Sequence, residues 1–173
     1  MRTIQAAGPS NLFWQQPRVL KAEYELRAGD ELLATLSKSG TFSRAMDAEI
    51  GETRFTLEPE GFLRSRIMVR QAGAAGDPAV FQAGFLRKGQ LALPDGPSYR
   101  WKTTSFWSGR WAFVDGSDRP LVSFTTRHRF FRTGCDVEIG PAALAMPELP
   151  VFVLLGWYLL LRIQEDSAAG AAG

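Results

Sequence analysis

Residues 149–161 read LPVFVLLGWYLLL, an apolar run with no polar face near the end of a chain of 173 residues. As a helix it is about 20 Å long at 1.5 Å per residue, short of the roughly 30 Å hydrocarbon core of a bilayer. Lengthening it toward Leu144 takes in Pro147 and Glu148, beside Pro150. Lengthening it the other way adds Arg162, with Glu165 and Asp166 close behind. No Lys/Arg cluster flanks the run to orient a span. Pro150 suits a first helical turn, where its missing N–H costs nothing. A helix that is apolar all round has to be enclosed, so the expectation is a helix buried by the rest of the protein.

The preceding chain supplies strands to enclose it. Leu20, Ala22, Tyr24 and Leu26 alternate with Lys21, Glu23, Glu25 and Arg27, the period of a half-buried antiparallel strand. The AGDE turn at 28–31 leads to a partner at 32–37, and the same grammar recurs at 42–50, 53–57, 63–70, 80–86 and 90–93. It continues around Tyr99 and Trp101, around Trp111 and Phe113, and at 121–126 and 135–139. Turn-forming clusters such as Pro59-Glu60-Gly61, Pro94-Asp95-Gly96-Pro97 and Asp115-Gly116-Ser117-Asp118 separate these runs. In 63–70, Leu63, Ser65, Ile67 and Val69 are expected inward, with Arg64, Arg66, Met68 and Arg70 outward. The more apolar 80–86 reads as covered on both sides.

The fold class expected is all-β, an antiparallel barrel of about 11–12 strands enclosing the hydrophobic C-terminal α-helix. A barrel of about eight strands is filled by its own side chains, whereas one of about twelve leaves a lumen that a helix about 10 Å wide can plug. The 20 Å helix also matches strands of six or seven residues at about 3.3 Å each. The expected boundaries are a lead-in at 1–17, one barrel domain at 18–166 with its helix at about 149–164, and a disordered tail at 167–173.

Composition narrows the classes of function. With 45% hydrophobic and 22% charged residues the chain is that of an ordinary folded domain. Cys135 is the only cysteine, which excludes an intramolecular disulfide and a cysteine metal cluster. The start, MRTIQAAGPSNLFW, lacks the cationic and apolar regions of a secretory signal, and a cytoplasmic location is expected. A net charge of +2 is a small electrostatic footprint for nucleic acid, which is not an expected partner.

Four stretches carry a family resemblance: YELRAGDELLATLSKSG at 24–40, EGFLRSRIMVR at 60–70, DGSDRPLVSF at 115–124, and above all VFVLLGWYLLLRIQED at 151–166, with its acidic pair after the helix. In order and pattern, over about residues 18–166, they resemble the tubby C-terminal-like superfamily, which includes the LURP-one-related proteins and the phospholipid scramblases. The resemblance implies a twelve-stranded barrel around a hydrophobic C-terminal helix and a membrane- or lipid-related role without a shared enzymatic activity.

Catalytic patterns are missing. His128 is the only histidine, and no G-x-S-x-G elbow, G-x-G-x-x-G loop or phosphate-binding G-x-x-x-x-G-K-[ST] loop occurs. One Cys and one His make a poor zinc set. Asp115 and Asp118 read as a hairpin turn rather than a calcium loop, and Glu58 and Glu60 flank a proline turn. No enzyme, cofactor or metal site is expected. The suggestive surface feature is RHRFFR at 127–132, in the connection between two strands. Phenylalanines interleaved with cations can grip anionic lipid, the rings entering the interface and the cations meeting phosphate. They could also cap one end of the barrel core, with the arginines solvated or paired.

Arg127, Arg129, Phe130, Phe131 and Arg132 are the candidate anionic-lipid contacts. The expected function is a non-enzymatic binding or scaffold module, peripheral at the membrane, with anionic lipid head groups or an unidentified protein as partner and no stable transmembrane span. The alternatives are a carrier of a small apolar ligand, which needs an open lumen, and a scramblase-like protein whose C-terminal helix is inserted in the membrane.

Overall fold

The computed structural model describes residues 4–8, 11–105, 107–129 and 132–172, without the side chains of Arg64, His128, Arg129 and Arg132. Twelve strands form a closed barrel: β1 (Leu12–Gln15), β2 (Glu23–Ala28), β3 (Glu31–Lys38), β4 (Met46–Ile50), β5 (Thr53–Glu60), β6 (Arg66–Gln71), β7 (Ala79–Ala83), β8 (Gly89–Ala92), β9 (Ser98–Ser105), β10 (Arg110–Val114), β11 (Pro120–Arg129) and β12 (Arg132–Ile139). Each pairs antiparallel with its neighbours in sequence, and β1 joins β12 to close the ring. Short helices α1 (Ile4–Ala7) and α2 (Pro141–Leu144) accompany the long helix α3 (Leu149–Ala171).

The apolar run lies in the lumen. Phe152, Val153, Leu154, Leu155 and Trp157 are fully buried. Side chains of α3 meet separate parts of the ring. Trp157 stacks on Trp14 of β1 with centroids 5.9 Å apart and meets Tyr24 of β2 edge-on at 5.6 Å. Phe152 packs edge-on against Tyr99 of β9 at 5.0 Å and Phe113 of β10 at 5.4 Å. A helix apolar all round thus finds the all-round enclosure it requires. No helix among the described residues is long and apolar enough to cross a membrane.

Two boundaries differ from the expected ones. The stretch 1–17, read as a lead-in, contains the strand that closes the barrel. Trp14 is in register with Cys135 on one side and Leu26 on the other, and Leu12 and Trp14 face the core. Four residues with two inward positions make too short an alternation to detect, yet without them β2 and β12 would present open edges. At the other end, α3 does not stop near residue 164. It continues through the expected tail to Ala171, helped by the high helix propensity of alanine.

Three apolar residues assigned to strand interiors lie outside the strands. Leu20 precedes β2, Leu63 sits in a 3-10 turn (Phe62–Arg64) before β6, and Leu86 sits in a second one (Phe85–Arg87) after β7. All three are exposed. Period-two reading extended β2 and β6 past their first paired residues, because a bulky apolar residue beside a turn looks like one more inward position. The run 80–86, read as covered on both sides, ends as a strand at Ala83 with Gln82, Phe85 and Leu86 exposed. Met68, expected outward, is largely buried on the outer face of β6.

Strand direction alternates, so the connections after odd-numbered strands gather at one end of the barrel and those after even-numbered strands at the other. β12 delivers the chain to the second end, where α2 follows and α3 enters the lumen. α3 then leaves at the first end. These are the entry end and the exit end below.

Candidate functional site

The exit end has a composition of its own. Its connections hold, in chain order, Val19 and Leu20 (residues 16–22), Phe42 (39–45), Phe62 and Leu63 (61–65), Phe85 and Leu86 (84–88) and Trp107 (106–109). Every large apolar side chain that stands exposed among the described residues is one of these eight. Leu20, Phe42 and Trp107 are 97%, 99% and 96% exposed. Single exposed apolar residues are ordinary on a protein surface, but their confinement to one end is not.

The charges are sorted in the same way. The exit-end connections carry Arg18, Lys21, Arg44, Arg64, Arg87 and Lys88 and no carboxylate. The hairpin connections of the entry end carry Asp30, Glu52, Asp77, Asp95, Asp115 and Asp118 against one cation, Arg119. Acidic groups do reach the exit end from the flanking elements: Glu23 lies 3.9 Å from Arg18 and 4.0 Å from Lys21. Where α3 emerges, a cleft of about 340 Å³ brings Lys38, Arg44 and Arg162 together with Glu165 and Asp166. The Tyr24 and Tyr158 hydroxyls in its wall are raised above the usual phenol range, chiefly by burial. With both signs facing it, this cleft is not a dedicated anion pocket, and the cationic excess belongs to the hairpin tips.

Two of the entry-end acids, Asp115 and Asp118, are engaged by neighbouring groups. The Asp115 carboxylate accepts the backbone N–H groups of Ser117 at 2.8 Å and Arg119 at 3.0 Å, and these bonds, the Arg119 one first, hold its pKa below the usual carboxylate value. Asp118 accepts from Lys102 and Arg100, each at 2.8 Å, and is lowered mainly by the Lys102 bond. The 115–118 segment is therefore the turn expected from sequence. Among the described residues no three His, Cys, Asp or Glu side chains are arranged to hold a metal ion.

Of the candidate lipid contacts, Arg127, Arg129 and Arg132 lie on β11 and β12. Arg129 and Arg132 form the last register pair of the β11–β12 ladder, beside the hairpin tip. Phe130 and Phe131, which make that tip in sequence, lie outside the described residues. Arg127 stands two positions down the wall, where its guanidinium donates to the Asp136 carboxylate in a half-exposed ion pair. Its charge is engaged on the barrel side. The outward arginine face of 63–70 reduces to Arg66 and Arg70, because the chain before β6 turns.

Reading one connection at a time missed the concentration of apolar tips. A signal was present: the tetrapeptide GFLR occurs twice, at 61–64 and 84–87, both times after an odd-numbered strand. In both copies the leucine adopts a left-handed backbone, φ 54° at Leu63 and φ 56° at Leu86. Only the alternation of strand direction shows that the two copies share an end.

The class defined by this architecture is a closed twelve-stranded antiparallel barrel on a central C-terminal helix, with a basic, apolar-tipped end opposite an acidic one. Comparison with protein-family models, curated proteins and solved structures returns no match for the chain.

Proposed function

We propose that this chain is a non-enzymatic, tubby-like binding module that docks exit end first on anionic phospholipid surfaces. The observation that carries the reading is the sorting of charge. Six cations and no carboxylate occupy the connections of one end, while carboxylates dominate those of the other. A barrel polarised in this way is oriented by a negative surface potential before contact, and each cation reaching the surface contributes about 1 kcal/mol. The net charge of +2 conceals this because it adds the two ends together. A carrier of small apolar ligands would need the lumen that α3 occupies.

Flotation with vesicles tests the reading. Vesicles of phosphatidylcholine containing phosphatidylserine should carry the protein upward at low salt, and pure phosphatidylcholine should carry far less. Replacing Arg18 and Lys21 by glutamate removes two contacts and places two repulsive charges at the surface, so affinity should fall by more than tenfold. Equal and negligible flotation with both vesicle types would reject the proposal.

A further inference from the structure

The apolar tips add what charge alone does not supply. Resting on the docking reading above, we infer that the exit-end hairpins insert their apolar side chains into the acyl boundary of the bilayer, with the barrel axis standing across the membrane plane and the tip cations at phosphate level.

The two GFLR turns are the first ground. A left-handed backbone favours glycine or asparagine, and a β-carbon there is crowded. Solvent in turn favours a polar side chain at a hairpin tip. Leu63 and Leu86 meet neither preference, yet each is placed in that conformation with Phe62 or Phe85 before it, all four well exposed. Neither the turn nor the core explains a leucine at these positions. Contact with an apolar phase outside the chain does.

The arrangement of the tips selects a bilayer over a protein. Twelve strands about 4.8 Å apart and tilted by about 40° make a barrel about 25 Å across, and the apolar tips lie around its rim. In the middle α3 emerges with Glu165 and Asp166 exposed, and Ser167 accepts a hydrogen bond from Arg87 of the rim at 3.2 Å. A protein interface has the opposite order, an apolar centre inside a polar rim. A fluid bilayer can receive separated apolar knobs while the polar centre stays among head groups. In four of the five described tips a cation sits in the same connection as the apolar residue, the spacing of an interfacial segment whose rings enter the acyl boundary while its cations meet phosphate.

The test uses the full-length protein and phosphatidylcholine/phosphatidylserine vesicles whose phosphatidylcholine carries brominated acyl chains. Insertion predicts quenching of the Trp107 contribution to emission, identified as the part lost in a Trp107→Phe variant. It also predicts a fraction of binding that survives 0.5 M salt. The paired variants Phe62→Ser with Leu63→Ser, and Phe85→Ser with Leu86→Ser, should each weaken vesicle binding about tenfold without lowering the denaturation midpoint, since the replaced side chains are exposed. Asp77→Ser with Asp95→Ser at the entry end should bind like the parent.

Binding that is fully reversed by salt, unquenched and unaffected by the serine pairs would overturn insertion while leaving electrostatic docking intact. No binding to any vesicle would overturn both. Concentration-dependent self-association that the serine pairs abolish, without quenching, would assign the tips to a second copy of the chain and overturn insertion as well.

Discussion

At Gly156 the helix leaves no room for a side chain against the barrel wall. A β-carbon there would lie 2.2 Å from Cζ of Phe124 on β11, well inside contact distance. Phe124 has little freedom to retreat, because it is fully buried and packs against Trp101 with centroids 5.7 Å apart. Two effects compete in Gly156→Ala. Helix propensity favours alanine by about 1 kcal/mol, while overpacking a filled core costs about 1–3 kcal/mol. Overpacking should prevail, leaving the variant less stable by up to about 2 kcal/mol, read as a lower urea midpoint with an unchanged slope. An equal or higher midpoint would show that the Phe124 ring yields. Glycine in a helical run looks like a weak point in sequence, and its reason becomes visible only when the facing strand is in place.

At the scale of elements, α3 and the barrel depend on each other. The inward side chains of twelve strands do not fill so wide a lumen, and the buried length of α3 has no other shelter. A chain ended at Gly140 would expose the inner faces of all the strands to water and should be insoluble or unfolded. A soluble truncate with a cooperative denaturation curve would refute the dependence. β1 is as consequential although it has only four residues, since it alone joins β2 to β12.

At the scale of the whole molecule, the shifted ionisations predict a stability that falls off on both sides of neutral pH. On the acid side Glu25 is lowered, first by its hydrogen bond from Arg27, and Asp115 and Asp118 are lowered as described above. Groups lowered in the folded state contribute stability that is present above their unfolded pKa, about 4, and lost as pH falls through the folded value. Solvent screening keeps this acid arm shallow.

On the alkaline side burial pushes the Cys135 thiol well up, with the Asp136 charge adding to it, and burial likewise raises Tyr24, Tyr99 and Tyr158. Their contribution is full below the unfolded pKa, about 8.5 for a thiol and 10 for a phenol, and is lost as pH rises. One buried thiol gives a slope of at most about 1.4 kcal/mol per pH unit. Urea titrations between pH 7 and 10 should show stability declining from about pH 8.5 in the parent and only from about pH 10 in Cys135→Ala. Parallel curves would remove the thiol from this account.

The sequence by itself determined the barrel and the enclosed helix. An apolar run short of a bilayer's thickness and too apolar for a surface fits best inside the protein, and alternating strands supplied its walls. Most strands were legible because each has one wet and one dry face. β1 was not, because four residues carry too little alternation, and the helical extension to Ala171 was hidden in small residues that pattern with a tail. Of the site, RHRFFR was legible as a local cluster of cations and rings.

Only the tertiary structure decided which connections share an end. Side-chain alternation is local, whereas the gathering of hairpins 16–22, 39–45, 61–65, 84–88 and 106–109 follows from strand direction counted around a closed ring. That count turned scattered exposed residues into one basic, apolar-tipped face, and it paired Arg127 with Asp136 on the wall beside it.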